Sequence, residues 1–336
     1  MAAPLDGITR VIHCDWSVDE KKRWAAVAEW GDGRWVLDGP SKVSERVDLL
    51  TDVGATTETP GATLVAFDFP IGVPSAWGRQ TGVASFAELL PELGEGRWSD
   101  FYDVAVAREE ISITRPFYPF RPGGTSRTYL WEALGMDPVN GLRACERPLP
   151  GVHSGASPLF WTLGGKQVGK AALAGWAALQ PHVAAGDCVL WPFAGDLGEL
   201  VQPGQVIVAE SYPGAYYTHV GGPMAGKGWK KTSQADRAGL FVSPLLTGLS
   251  TDGVPSPSAG RHWRVGAEFT RGLHASIRDG FGDKPVGEDK FDAVVGLLGA
   301  LGALEAGSPW APQDDPTKTW EGWILGVPVL ATPRGE

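Results

Sequence analysis

The amino-acid sequence predicts an α/β fold, a mixed five-stranded β-sheet flanked by helices. Three short apolar runs follow one another near the N-terminus, and a tight glycine-containing turn separates the second from the third. Two further apolar runs follow segments with helical spacing, which is the pattern of parallel strands joined by crossovers. We therefore expect three antiparallel strands and then two parallel ones, with a large, mostly helical insertion before the fifth.

Residues that turn the chain bound the predicted strands. Gly31-Asp32-Gly33 is a strong hairpin signal between the second and third strands. Pro70 ends the fourth strand because proline cannot donate a hydrogen bond to a sheet ladder. The five predicted strands are 9–16, 24–30, 34–38, 63–69 and 205–210.

Helices are predicted from apolar side chains at helical spacing. Residues 42–53 suit a helix that leads into the fourth strand. A final helix is expected at 288–304, with carboxylates in its first turn, where the helix dipole favours negative charge. The stretch 244–263 is rich in Ser, Pro and Gly, so we expect a surface loop. Three helices are predicted within the insertion, at 84–93, 127–134 and 169–179.

These elements predict a discontinuous core interrupted by one long segment. Residues 1–75 and 201–310 carry the five strands and the final helix. Residues 76–200 form a helical and loop insertion that packs on this core, and residues 311–336 form a C-terminal extension.

Composition sets limits on the class of protein. The chain has 336 residues, of which 43% are hydrophobic and 20% charged, which is typical of a globular protein. We see no export signal and no apolar stretch long enough to span a bilayer, so we expect a cytoplasmic protein without a membrane partner. The net charge of −10 counts against a protein that coats nucleic acid non-specifically, but it leaves a nuclease open.

Acidic residues stand where an apolar pattern would not place them. Asp15, Asp68 and Glu210 end predicted strands, and Asp289 and Asp292 open the final helix at a spacing that puts both on one face. Two carboxylates about 4 Å apart repel by roughly 4 kcal/mol at an effective dielectric constant near 20, so several in one pocket need protons or cations. We therefore predict that these five acids are catalytic.

Oxygen-only ligands favour Mg²⁺ or Mn²⁺ over Zn²⁺. The predicted metal ligands are Asp15, Asp68, Asp289 and Asp292, while Glu210 is either a direct ligand or a group behind the ligands. Lys230, Lys231 and Arg237 follow Glu210 closely and are candidates to bind a phosphate, although solvated surface charge explains such a cluster equally well. These three are the predicted phosphate-binding residues.

Five short motifs surround these acidic and basic residues. They are Cys-Asp-Trp at 14–16, Phe-Asp-Phe-Pro-Ile-Gly-Val-Pro at 67–74, Glu-Ser-Tyr-Pro at 210–213, Lys-Lys-Thr at 230–232 with Arg237, and Asp-Lys-Phe-Asp-Ala at 289–293. Through these motifs the chain resembles domain of unknown function 429, a predicted ribonuclease-H-like nuclease family. The resemblance implies a ribonuclease-H-like fold with Asp15 on the first strand, Asp68 on the fourth and Asp289 or Asp292 on the last helix, similar to Holliday-junction resolvases.

The function expected from these residues is metal-dependent phosphodiester hydrolysis. A pair of Mg²⁺ or Mn²⁺ ions would activate water and stabilise the leaving oxygen, with nucleic acid or a smaller phosphate ester as substrate. Two alternatives stay open: a non-catalytic binding or scaffold protein that has kept the fold, and an ATP-using protein of the same fold.

Overall fold

The structure, a computed structural model, has an α/β fold with helices on both faces of a mixed sheet. It describes residues 7–45, 50, 61–148, 155–164, 168–217, 228–242, 267–306 and 311–329. Within these ranges seven strands form the sheet. They are β1 (Ile8–Asp15), β2 (Trp24–Gly31), β3 (Arg34–Lys42), β4 (Ala62–Phe67), β5 (Cys188–Leu190), β6 (Val206–Glu210) and β7 (Ala267–Phe269).

The strands lie in the order β5-β6-β4-β1-β2-β3-β7. β2 is antiparallel to both β1 and β3, whereas β4 is parallel to β1 and β6 is parallel to β4. The α/β class and the mixed sheet predicted from the sequence are thus confirmed, but the described sheet has seven strands instead of five. The additional strands β5 and β7 contain only three residues each, which is too short for an alternating pattern to be recognised.

The predicted hairpin joins β2 to β3. Gly31 pairs with Arg34, so the loop consists of Asp32 and Gly33. Their φ angles are 50° and 75°, and two positive φ angles in a row define the turn whose twist matches that of the flanking strands.

The helices differ more from their predicted bounds. Three predicted helices are present, namely the final helix and those at 127–134 and 169–179. The helix predicted at 84–93 is shorter than expected: a single α-helical turn is followed by a 3₁₀ turn that contains Pro91. The α-helices of the described residues are α1 (Ser75–Gly78), α2 (Phe86–Leu89), α3 (Arg127–Leu134), α4 (Val168–Ala185), α5 (Leu197–Leu200), α6 (Pro213–Tyr216), α7 (Gln234–Val242), α8 (Arg271–Arg278) and α9 (Val286–Ala306).

Two sequence predictions fall largely outside the described residues. Of the helix expected at 42–53, residue 42 still belongs to β3 and 43–45 form a 3₁₀ turn. Most of the remainder of that helix, and all of the loop expected at 244–263, lie outside the described ranges.

Alternating side chains of the central strands feed two cores, one on each face of the sheet. On one face Val11 and Leu64 pack with residues of α9 such as Val294. On the other face Ile12 and Val65 join a core that contains residues of α4. Burial of both faces is typical of a parallel sheet covered by helices, and the strand residues alternate between the two cores because successive side chains point in opposite directions.

The predicted domain boundaries, near residues 75, 200 and 310, stay predictions. The segment 76–200 contributes β5 to the sheet, where it pairs with β6. Beyond 310, Ile324 forms a bridge with Glu210 at the end of β6. Among the helices of the described residues, none is both long and apolar enough to cross a membrane.

Candidate active site

Two carboxylates stand at the carboxyl ends of adjacent parallel strands. Asp15 is the last residue of β1, and Asp68 directly follows β4. Cys14 pairs with Phe67 in this register, and the Asp68 N–H donates to the Cys14 carbonyl at 3.3 Å. The Trp16 N–H donates to Asp68 Oδ1 at 2.7 Å. These bonds fix Asp68 beside the end of β1, at the edge where open α/β sheets hold their ligands.

The first turns of α9 bring two more acids to this edge. Asp289 and Asp292 are three residues apart, so they share one helical face. Asp292 is 7% exposed and Asp289 is half-buried. Asp68, Asp292 and Asp289 all act electrostatically on Asp15. Four of the five acids singled out in the sequence therefore converge.

A lysine ammonium lies among these carboxylates. Lys231 Nζ donates to Asp292 Oδ2, and the Tyr217 hydroxyl donates to Asp292 Oδ1 at 2.6 Å. Burial lowers the pKa of Lys231, but the negative charges of Asp292 and Asp15 more than offset this, so the pKa lies above its usual value. Lys231 thus stays charged and is a counter-ion for the acids.

The backbone of Lys231 is fixed by Arg237, a buried residue of α7. The Arg237 guanidinium donates to the carbonyls of Lys231 at 2.6 Å, Gly280 at 2.9 Å and Gly282 at 2.6 Å. It is directed at backbone oxygens, so the structure argues against the phosphate-binding role predicted for it. The side chain of Lys230, another predicted phosphate ligand, is exposed.

Burial raises the pKa values of Asp15, Asp68 and Asp289. Burial raises the pKa of Asp15 well above its usual value, and Asp68 and Asp292 raise it further. Burial also raises the pKa of Asp68 to about 7, although the hydrogen bond from the Trp16 N–H acts in the opposite direction. The pKa of Asp289 is raised as well, mainly by burial. These shifts mean that negative charge is costly here, and such groups cluster at functional sites.

Glu210, the fifth predicted acid, lies on the opposite face of the sheet. In the β4–β6 register Glu210 is opposite Phe67, and paired residues of neighbouring strands point to the same face. Phe67 belongs to the core on the α4 side. Asp68 is one residue later, so its side chain points to the face opposite to that of Phe67. The Glu210 side chain therefore points away from the face on which Asp68 lies.

Both carboxylate oxygens of Glu210 are bound by a buried arginine. Arg143 Nη1 donates to Oε2 at 2.6 Å and Nη2 donates to Oε1 at 2.8 Å, while the Ile71 N–H adds a bond of 2.7 Å to Oε2. Arg143 Nε also pairs with Glu146 at 2.9 Å. Since both of its carboxylate oxygens are bound within this network, Glu210 has a structural place, which argues against the catalytic role predicted from the sequence.

Two tyrosines next to the site were not singled out in the sequence. Tyr217 holds Asp292, as described above, and Tyr212 lies close enough for Asp292 to raise its pKa in addition to the effect of burial. Tyr212 lies within the Glu-Ser-Tyr-Pro motif and Tyr217 follows it on the segment after β6, but no spacing rule connects either of them to α9.

A strip of lysines also borders the carboxylates. Trp24 pairs with Asp15 across β1 and β2, and its ring centroid lies 3.7 Å from Lys42 Nζ and 4.7 Å from Lys290 Nζ. The positive charge of Lys22 lowers the pKa of Asp289 in α9, whereas burial raises it. We call Lys22, Lys42 and Lys290 the basic strip. They come from three separate elements, so the sequence offered no local signal for them.

The donor chemistry of this edge fits a hard divalent cation. Asp15 and Asp68 supply carboxylate oxygens, and burial raises both pKa values even though the positive charge of Lys231 acts in the opposite direction. Among the described residues, however, no three His, Cys, Asp or Glu side chains form a group that could hold a metal ion. One carboxylate oxygen of Asp292, Oδ2, is already bound by Lys231.

Comparisons with known proteins add nothing to this geometry. No family model, no curated protein and no solved structure matches the chain. The resemblance to domain of unknown function 429 therefore rests on the five sequence motifs alone.

Proposed function

We propose that this protein is a metal-dependent phosphodiester hydrolase, with nuclease activity as the leading form. The observation that carries this proposal is the convergence of Asp15 and Asp68 with the acids of α9 at the carboxyl edge of the sheet. Acids that are buried together without a structural partner for each charge are typical of sites that bind cations.

A ribonuclease-H-like core is part of the proposal. Its support is the central strand order β3-β2-β1-β4-β6, in which only the second strand runs antiparallel to its neighbours. The expected arrangement of acids on the first strand, the fourth strand and the last helix corresponds to Asp15, Asp68 and the Asp289/Asp292 pair.

Asp15 and Asp68 would hold Mg²⁺ or Mn²⁺, with Asp289 and Asp292 beside them. When bound, such an ion lowers the pKa of a coordinated water and stabilises negative charge on a phosphate. The protein itself fixes Asp68 through the Trp16 N–H and fixes Asp292 through Tyr217. These bonds keep the carboxylates oriented before any substrate arrives.

The basic strip supports a phosphate-bearing substrate. It places positive charge next to the carboxylates in a chain whose net charge is −10. A local positive field can attract a phosphate in spite of an overall negative charge. Both nucleic acid and a smaller phosphate ester fit this description.

Cleavage assays test the proposal. Purified protein is incubated with Mn²⁺ and single-stranded, branched or structured nucleic acids, and with a chromogenic phosphodiester. We expect the wild type to cleave the substrate and a chelator to abolish cleavage. Asp15→Asn and Asp68→Asn should each abolish cleavage as well, while circular dichroism shows that both variants are folded. Asp100→Asn, which removes an exposed carboxylate from the insertion, is the matched control and should retain activity. Equal activity in the wild type and both site variants would show that a contaminant cleaves the substrate.

A second candidate is a non-catalytic binding protein that has kept the fold. The observation that favours it is the ion pair between Lys231 and Asp292, because it gives the acids a counter-ion without any metal. Calorimetry separates the two candidates. Mn²⁺ binding that depends on Asp15 and Asp68 supports the hydrolase, whereas indifference to Mn²⁺ in a folded protein supports the binding protein.

A further inference from the structure

Lys231 lies where it competes with a metal ion for a carboxylate. Two-ion hydrolase sites hold their ions about 3.5–4 Å apart, so neighbouring acids must serve both ions. In this protein Asp292 already accepts hydrogen bonds on both oxygens, from Tyr217 and from Lys231. An ion bound by Asp292 would have to displace or crowd the ammonium.

The position of Lys231 is built into the fold. Arg237 is buried and holds the Lys231 carbonyl at 2.6 Å, and the same guanidinium is anchored to Gly280 and Gly282 just before α9. The segment that carries Lys231 is therefore tied to the segment that precedes Asp292. Because both partners rest on this common anchor, the ion pair is a fixed part of the site.

We propose that this site binds one divalent cation, held by Asp15 and Asp68, and that the Lys231 ammonium replaces the second cation beside Asp292. This inference rests on the proposed metal-dependent function and deepens it, because it replaces the pair of ions expected from the sequence with one ion and a lysine. The ammonium would then face a bound phosphate as a fixed positive charge.

Counting bound ions tests this inference without any substrate. Mn²⁺ is titrated into the full chain by calorimetry, and electron paramagnetic resonance shows whether two Mn²⁺ ions are coupled. We expect one ion per chain and no coupled pair in the wild type, and two ions with a coupled signal in Lys231→Met. Lys231→Arg, which keeps the charge, should bind one ion. Lys170→Met removes one positive charge from α4, on the other face of the sheet, and should also bind one ion.

The outcomes separate this inference from the proposed function. Two ions in the wild type, or one ion in a folded Lys231→Met variant, would overturn the inference and leave metal-dependent hydrolysis standing. No bound ion in either protein would overturn both. If Lys231→Met does not fold, the wild-type stoichiometry by itself decides the question.

Discussion

Replacing Asp68 with asparagine should stabilise the metal-free protein at neutral and alkaline pH. The folded protein raises the pKa of this carboxyl from its ordinary value of 3.8 to about 7, mainly through loss of solvation. Because the folded state then binds more protons than the unfolded state between these two values, stability is lost as the pH rises through that window. Asparagine carries no charge and its Oδ1 can still accept the Trp16 N–H.

The size of this effect follows from the shift in pKa. Each unit corresponds to about 1.4 kcal/mol, so the full cost of ionising Asp68 in the fold is on the order of 4 kcal/mol above pH 7. Below about pH 4 the carboxyl is protonated in both states and the cost disappears. The advantage of Asp68→Asn over the wild type should therefore grow from near zero at pH 4 to its full value at pH 8.

Urea denaturation at several pH values, with a chelator present, measures this difference. Groups that do not interact with Asp68, such as His13 with a pKa lowered to about 3, are common to both proteins and cancel in the comparison. Asp15 is the exception, because the variant removes the negative charge of Asp68 that raises its pKa, and this adds to the advantage of the variant at high pH. Asp100→Asn, at an exposed position, is the control and should follow the wild type at each pH. A constant difference between Asp68→Asn and the wild type from pH 4 to pH 8 would refute the reasoning, as would a variant that is less stable at pH 8.

Further variants test the structural elements around the site. Arg143→Met should cost roughly 3–5 kcal/mol of unfolding free energy, because Glu210 and Glu146 would be left buried without their cation. Mn²⁺ affinity should survive Glu210→Gln in calorimetry, and its loss would mean that Glu210 serves the metal site after all. Gly296→Ala should lower the free energy of unfolding by about 1–3 kcal/mol, seen as a lower urea midpoint, because its Cβ would lie 2.1 Å from the His13 ring. Gly239→Ala has open space around its Cβ and should stabilise α7 by up to about 1 kcal/mol, so similar losses in both variants would contradict the packing described.

The central strands and the final helix could be predicted because each is long enough to show its period. β1, β2 and β3 have eight or nine residues each, and α9 has 21. β5 and β7 have three residues each, and they become strands because the edges of the sheet offer them hydrogen-bond partners. Such tertiary pairing leaves no periodic signal in a short segment.

The face on which an acid lies depends on register, which the apolar pattern does not give. Asp15 and Asp68 end neighbouring strands, so their proximity follows from the order of the strands. Glu210 also ends a neighbouring strand, but its partner in register is Phe67, and a shift of one residue reverses the face. Its true partner, Arg143, lies 67 residues away in the chain and belongs to no periodic element.

The sequence also did not predict the role of each basic residue. Lys230, Lys231 and Arg237 form one cluster in the sequence, yet Lys230 is exposed, Lys231 binds Asp292 and Arg237 binds backbone carbonyls. Which member faces the acids depends on how the segment before α7 is tied to the one before α9. That contact is long-range and has no local signature.

A crystal structure of the full chain with Mn²⁺, with the ion located by its anomalous scattering, tests the central claim most directly. We expect an anomalous peak in contact with the carboxylates of Asp15 and Asp68, with Lys231 still bound to Asp292. A peak elsewhere, or a structure in which Asp15 and Asp68 lie apart with no ion between them, would contradict the account.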